Sequence, residues 1–125
     1  MPLRAGLCRT VELQVSTGDT AQAMRSGEVA VLATPRLVAL VEEAACAAVD
    51  AQLADGQTTV GMRVQLDHLA PIAVGSTVRA EATLEKIEGR RLTFTVSVSD
   101  ASGLVAAGKV TRVVVDLDRF MEKAR

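Results

Sequence analysis

Apolar and polar residues alternate along several stretches of this chain, and such alternation predicts half-buried β-strands. The first stretch is residues 8–15, where Val11, Leu13 and Val15 are separated by polar side chains. Four later stretches have the same character: residues 58–69, 77–87, 91–98 and 104–117. The last is almost continuously apolar from Val110 onward, which predicts a strand buried on both faces. Short connections rich in turn residues predict that consecutive strands are antiparallel neighbours.

One long helix is predicted between the first strand and the others. Thr34 followed by Pro35 is a start signal, because Thr can cap a helix and Pro is tolerated in its first turn. Nothing breaks the helical pattern from residue 36 to about 54, where Asp55 and Gly56 supply a stop. Apolar side chains cover most of its circumference, so this helix should be buried on several sides. We therefore predict an α+β fold in which an antiparallel sheet wraps around one central helix.

The length of 125 residues predicts a single domain spanning 1–125. A hydrophobic fraction of 49% and a mean hydropathy of +0.26 exclude a disordered chain. Ala and Val provide most of the apolar volume, since Phe94 and Phe120 are the only aromatic residues. The 14 basic residues are balanced by 15 acidic ones, and stacking platforms for bases are missing. Nucleic acid is therefore not expected as a partner.

No apolar run is long enough for a membrane span, and the N-terminus lacks the apolar core of a signal peptide. A cytoplasmic protein without membrane contact is therefore expected. Cys8 and Cys46 lie far apart and have no Cys or His at ligand spacing. We predict two small buried thiols, no disulfide, no metal site and no separate cofactor.

Glu42 is the first candidate for chemistry, because the helical period places it on the apolar face near Val38 and Val49. A carboxylate is costly in such a position unless it is paired with another polar group or has a functional role. Glu42 is therefore a candidate general base. The alternative is a carboxylate at the edge of the buried face that reaches water or an arginine. Arg112 interrupts an apolar strand at an inward position and could be that partner.

His68, the single histidine, is predicted to face inward, because counting by two from Val60 through Met62 arrives at it. It is either a hydrogen-bonded core residue or a catalyst. A second nearby histidine that would favour a metal site is missing.

Three further positions have both a structural and a functional interpretation. Thr34 is a helix cap, or it marks a helix start whose N–H groups could stabilise an oxyanion. Gly61 indicates close approach of the backbone to a ligand, or only a strand irregularity. Arg90 and Arg91 form a solvated turn or a contact with phosphate.

Together these residues resemble the fluoroacetyl-CoA thioesterase-like branch of the hot dog fold superfamily. The resemblance covers roughly residues 27–120 and rests on spacing: eight residues from Thr34 to Glu42, 26 from Glu42 to His68, and 44 from His68 to Arg112. The motifs that carry it are Ala33-Thr34-Pro35, Glu42, Gly61, His68, Glu88-Gly89-Arg90-Arg91-Leu92 and Arg112.

The resemblance implies a hot dog fold and hydrolysis of an acyl-CoA thioester by Thr34, Glu42 and His68, with CoA entering only as part of the substrate. Gly61 and Arg112 match positions that bind the substrate. Glu42 would be the base or the nucleophile. His68 would assist proton transfer or polarise the carbonyl, and Thr34 would hydrogen-bond the reacting centre or attack it.

Helix geometry adds a constraint, since eight helical residues span about 12 Å and Thr34 and Glu42 could not then contact one carbonyl. Either the helix begins after Thr34, or two subunits share each site. In hot dog proteins, which this chain resembles, two subunits commonly share each site. We therefore predict a homodimer with two composite sites.

The sequence departs from the family pattern before the helix, where the fluoroacetyl-selective member carries a phenylalanine lid. This chain has Arg25 and Glu28 in that region, so a different short or medium acyl group is expected. One alternative is a hot dog hydratase or dehydratase, which would need an aspartate near His68. Asp67 is adjacent in the strand and should point to the opposite face. The other alternative is a binding module for acyl-CoA or another small molecule that has no turnover.

Overall fold

The structure is a computed structural model that describes residues 3–124. It contains five strands and two α-helices in the chain order β1, α1, β2, β3, β4, β5, α2. Their bounds are β1 Cys8–Gln14, α1 Thr34–Val49, β2 Gln57–His68, β3 Thr77–Glu88, β4 Arg91–Asp100, β5 Gly103–Asp116 and α2 Leu117–Lys123. None of the helices in residues 3–124 is long and apolar enough to cross a membrane.

The strands form one antiparallel sheet in the order β1-β3-β4-β5-β2, and α1 packs across one of its faces. This confirms the predicted sheet around a single long helix. The expectation that consecutive strands are neighbours holds for β3, β4 and β5 but is wrong for β2, which pairs with β5. The chain crosses the fold between β2 and β3, where the side chain of Ile72 is buried and the backbone of Ala73 bridges to Val31. β1 and β2 are therefore the two edges of the sheet.

Small apolar side chains allow α1 to lie close against the sheet. Seven residues of α1 are buried, all of them Leu, Val or Ala: Leu37, Leu40, Val41, Ala44, Ala45, Ala48 and Val49. β3 meets them with buried Ala80 and Ala82, and β4 contributes Phe94, the largest fully buried side chain. Close packing of such residues excludes water and supplies most of the hydrophobic stabilisation.

The ends of α1 differ from the prediction. Ala33 occupies the N-cap position, so Thr34 is the first helical residue and not the cap. A capping residue must itself be non-helical, and the Thr34 backbone is already part of the helix. The α-helix ends at Val49 and continues as a 3₁₀ turn over Asp50–Gln52, a little before the predicted end.

A β-bulge in β2 changes which residues face α1. The register with β5 shifts between Gly61 and Arg63, so Met62 is an extra residue and its side chain is 53% exposed. The expectation that Val60 and Met62 share the inward face with His68 is therefore wrong, because a bulge reverses the alternation. Beyond the bulge, Val64 and Leu66 pack against the core on the same face as His68.

Two other expectations are only partly met. Cys46 is half-buried, whereas Cys8 is exposed, because it lies on the face of edge strand β1 that points away from α1. In β5, Val114 is buried on the α1 side. Val113 and Val115 on the opposite face are only half-buried, since just the short helix α2 lies near them.

Asp19 fixes the segment that leads into α1. Its carboxylate accepts hydrogen bonds from the Ser16 amide and hydroxyl at 2.9 Å and from Arg36 Nε at 3.1 Å. Its backbone carbonyl accepts the amide of Ala33 at 2.9 Å. The hydrogen bond from the Ser16 amide is the main cause that holds the pKa of Asp19 below its ordinary value. This network sets the position of Thr34 at the start of α1.

We expect Asp19→Asn to lower the free energy of unfolding at neutral pH and to leave it nearly unchanged in acid. A lowered folded-state pKa means that the stabilisation is present above the unfolded pKa and is lost as pH falls through the folded pKa. Thermal unfolding of both proteins between pH 7 and pH 2 measures this difference. An equal loss of stability across that range would contradict the role given to the carboxylate.

Candidate active site

Thr34 and His68 meet where the first turn of α1 lies beside the end of β2. Thr34 Oγ1 and His68 Nδ1 are 2.8 Å apart, a hydrogen-bond distance. His68 Nε2 is buried and has no hydrogen-bond partner among residues 3–124. A buried polar atom without a partner is costly, and such atoms are often retained for function.

A cavity of about 260 Å³ opens beside this pair. Its lining is mostly apolar: Val31, His68, Leu69, Ala70 and Pro71. The predicted inward position of His68 is confirmed, and its hydrogen-bond partner is the Thr34 hydroxyl rather than a core carbonyl.

Glu42 forms the second part of the site with Arg112. Arg112 Nη1 donates to Glu42 Oε2 at 2.8 Å, and the arginine side chain is 9% exposed while that of the glutamate is 31% exposed. The interpretation of Arg112 as the partner of Glu42 is therefore confirmed. The second carboxylate oxygen, Oε1, accepts no hydrogen bond from the described part of the chain, which leaves it available to a water molecule or a substrate.

Thr59 holds the arginine and was not identified from the sequence. Its hydroxyl accepts Arg112 Nε at 3.0 Å, and its carbonyl accepts Nη2 at 2.9 Å. With Glu42 on Nη1, all three guanidinium nitrogens of Arg112 donate a hydrogen bond. In the sequence, Thr59 could have been noticed only as a polar residue two positions before Gly61. The pairing of β2 with β5 is what shows that it faces the arginine.

Gly61 provides the space for this ion pair. A Cβ at that position would lie 2.5 Å from Glu42 Oε2 and 3.5 Å from Arg112 Nη1. The first distance is far inside van der Waals contact, so any larger residue would displace the carboxylate. Gly61 is thus both the start of the β-bulge and a point of close approach.

The two pairs do not converge within one subunit. Thr34 and Glu42 both lie in the helix, eight residues apart, which corresponds to about 12 Å. His68 and Gly61 are likewise at separate positions along β2. The structure therefore excludes the option in which the helix begins after Thr34. Residues 3–124 bring no three His, Cys, Asp or Glu side chains together in a manner suited to a metal ion.

Comparison with known proteins identifies the family of this chain. The family model for fluoroacetyl-CoA-specific thioesterase, FlK, matches residues 15–118. The fluoroacetyl-CoA thioesterase of Streptantibioticus cattleyicolor is 35% identical over 95 residues, which is 76% of this chain and 68% of that protein.

Solved structures agree with the sequence comparison. A mutant of the fluoroacetyl-CoA-specific thioesterase FlK superposes with a TM-score of 0.93 at 29% identity, covering 100% of this chain and 97% of the other. A hot-dog-like protein from Thermanaerovibrio acidaminovorans has a TM-score of 0.89 at 29% identity, with coverage of 97% and 90%. A thioesterase superfamily member from Thermus thermophilus has a TM-score of 0.89 at 28% identity and the same coverage.

The five-stranded sheet around α1, together with these structural similarities, therefore defines a hot dog protein of the thioesterase superfamily. More narrowly, the chain belongs to the fluoroacetyl-CoA-specific thioesterase family. The fold and the family predicted from the sequence are both confirmed.

We expect Gly61→Ala to reduce catalytic turnover by about 100-fold while the protein stays folded, because the new methyl group displaces the Glu42 carboxylate. Thioester hydrolysis and thermal unfolding measure the two effects separately. Gly18→Ala is the matched control, since its new Cβ would meet only Ser16 Oγ at 3.9 Å. Unchanged turnover in Gly61→Ala would show that the carboxylate position is not critical.

Proposed function

We propose that this protein hydrolyses a short or medium acyl-CoA thioester to the free acid and CoA. The observation that carries the proposal is the Glu42 carboxylate, whose Oε2 is held by Arg112 beside Gly61 and whose Oε1 accepts no hydrogen bond within residues 3–124. A carboxylate held in one orientation, with one oxygen free, is suited to accept a proton from an attacking water. Membership of a thioesterase family supports this chemistry.

In the proposed reaction, Glu42 takes a proton from water as the water oxygen attacks the carbonyl carbon. The Thr34 hydroxyl and the His68 imidazole, hydrogen-bonded to each other, face the carbonyl and the leaving sulfur. They stabilise the oxyanion of the tetrahedral intermediate. The C–S bond then breaks, the acid is released, and the proton is passed to the CoA thiolate. Gly61 and Arg112 line the substrate path beside the carboxylate.

A homodimer supplies the geometry that one subunit lacks. β2 is an edge strand, so its outer backbone N–H and C=O groups are open to another strand. Antiparallel pairing of β2 with a second β2 around residues 64–65 places His68 of one protomer opposite the partner's Gly61. Such a two-fold contact forms two composite sites, each with Thr34 and His68 from one protomer and the partner's Glu42.

The acyl group is proposed to differ from fluoroacetate. The exposed segment before α1 contains Arg25, at a φ of 59°, and Glu28, and it contains no aromatic residue. A hydrophobic aromatic lid over the acyl group is therefore missing from this segment. Asp67 is exposed while the adjacent His68 is half-buried, so the pairing needed for a hydratase is not favoured. A cytoplasmic location and the lack of a metal or separate cofactor stay predictions.

We expect thiol release from a panel of acyl-CoAs of two to eight carbons, with at least a 100-fold loss of kcat in Glu42→Gln and in His68→Ala. Release of free CoA, followed with a thiol reagent, is the measurement. Glu43→Gln is the matched control, because Glu43 lies next to Glu42 but on the exposed side of α1. Acyl-CoA binding without any thiol release by the wild-type protein would instead identify a binding module.

The composite site predicts complementation between inactive variants. Mixing Glu42→Gln with His68→Ala under conditions that exchange subunits should restore about a quarter of wild-type activity, since half of the dimers are mixed and each holds one intact site. Light scattering measures the dimer, and the thiol assay measures recovery. If the dimers exchange subunits and no activity returns, each protomer carries its own complete site.

A further inference from the structure

The Arg90–Arg91 turn takes no part in the reaction proposed above. Arg90 Nη1 donates to the carbonyl of Val114 at 3.3 Å, and Nη2 lies 3.7 Å from Asp116 Oδ2. These contacts hold the Arg90 guanidinium against the end of β5, next to α2. The turn is therefore positioned at a defined place on the protein and does not simply extend into solvent.

A cavity of about 230 Å³ lies between α2 and the end of β5. Its apolar part is formed by Val113, Val115 and Phe120. Phe120 is 38% exposed, whereas the other aromatic residue, Phe94, is fully buried in the core. Phe120 is thus the aromatic surface in this chain that a ligand can reach.

Cations surround this cavity and a neighbouring one of about 240 Å³ on the same face of the sheet. Arg91 lines the second cavity and is the register partner of Val113, which lines the first. The basic residues of the two cavities are Arg63, Arg90, Arg91, Lys109, Arg119 and Lys123. Asp116 and Glu88 are the carboxylates that line the two cavities, and Glu85 lies 3.5 Å from Lys109, although acidic residues outnumber basic ones by 15 to 14 in the whole chain.

Several of these cations are free to bind an anion. Within residues 3–124, neither Arg119 nor Lys123 of α2 forms an ion pair, and the same is true of Arg63 and Arg91. Arg119 and Lys123 are four residues apart in α2, so they lie on one side of that helix. Guanidinium and ammonium groups arranged around a shared cavity favour phosphate groups.

The cavity is at the same end of the sheet as the Glu42–Arg112 pair. Val113 directly follows Arg112 in β5, and successive strand residues point to opposite faces. The thioester would react on the α1 side, and the cavity opens on the other side. In CoA the thioester and the phosphorylated adenine nucleotide are joined by a long flexible arm, so the two ends can occupy separate positions.

We propose that this cavity binds a phosphorylated adenine nucleotide, the 3′-phosphoadenosine diphosphate end of CoA, with Phe120 against the base and Arg90, Arg119 and Lys123 on the phosphates. The assignment to CoA rests on the proposed thioesterase function. The nucleotide site itself rests on the apolar floor of the cavity and on Arg119 and Lys123, which form no ion pair within residues 3–124.

The test compares an acyl-CoA with the same acyl group on pantetheine, which lacks the nucleotide. The double variant Arg119→Gln/Lys123→Gln should raise KM for the acyl-CoA about tenfold and leave kcat and the KM for acyl-pantetheine unchanged. Added salt should raise the wild-type KM for the acyl-CoA only, because it screens the phosphate contacts. The control Arg4→Gln/Arg9→Gln also removes two exposed positive charges, at the opposite edge of the sheet, and should change neither KM.

Calorimetric titration with adenosine 3′,5′-bisphosphate tests the site without turnover. We expect binding to the wild-type protein and about tenfold weaker binding to the Arg119→Gln/Lys123→Gln variant. If wild-type protein hydrolyses no thioester but binds the bisphosphate in this way, the proposed function fails and the nucleotide site stands. Absence of binding overturns the site. Binding together with an unchanged KM for the acyl-CoA overturns the assignment to CoA and indicates a free nucleotide.

Discussion

The buried guanidinium of Arg112 is the constraint on which both the site and part of the sheet depend. It connects three elements, since it belongs to β5, its hydroxyl and carbonyl partners come from Thr59 in β2, and its carboxylate partner is Glu42 in α1. A buried charge is tolerated only when it is paired and its donors are satisfied. Removing one partner would leave that charge uncompensated, at a cost of about 3–5 kcal/mol. The pairing of edge strand β2 with β5 is therefore linked to the orientation of the candidate base.

Small residues make this arrangement possible. Gly61 leaves room for the Glu42 carboxylate beside the strand, and a Cβ at Gly108 would overlap the backbone carbonyl of Gln65. The alanines of α1 and β3 similarly bring helix and sheet close together. A chain poor in aromatic residues can thus form a close-packed core in which a helical side chain reaches across to a strand.

The distribution of polar groups in one subunit explains why a second copy is proposed. Thr34 with His68 and Glu42 with Arg112 form two hydrogen-bonded pairs at different positions along α1 and β2. Each pair lies beside the open edge of the sheet, and neither contains a complete set of base and oxyanion donors. A two-fold axis through an edge strand unites unlike pairs without any change within the subunit. In the proposed dimer, the two-fold axis brings together the groups that a rigid helix holds apart.

The sequence by itself determined the fold class and the face of α1 on which Glu42 lies, because both follow from local periodicity. It proposed Thr34, Glu42 and His68 as site residues through their resemblance to a known family. It did not determine that Thr34 lies inside the helix or that Met62 is the extra residue of a bulge, since both depend on hydrogen bonds to distant parts of the chain. Thr59 was missed for the same reason: its role exists only because β2 pairs with β5 rather than β3. Tertiary structure also separated the Thr34–His68 pair from the Glu42–Arg112 pair, because a straight helix keeps residues eight positions apart out of reach of a single carbonyl.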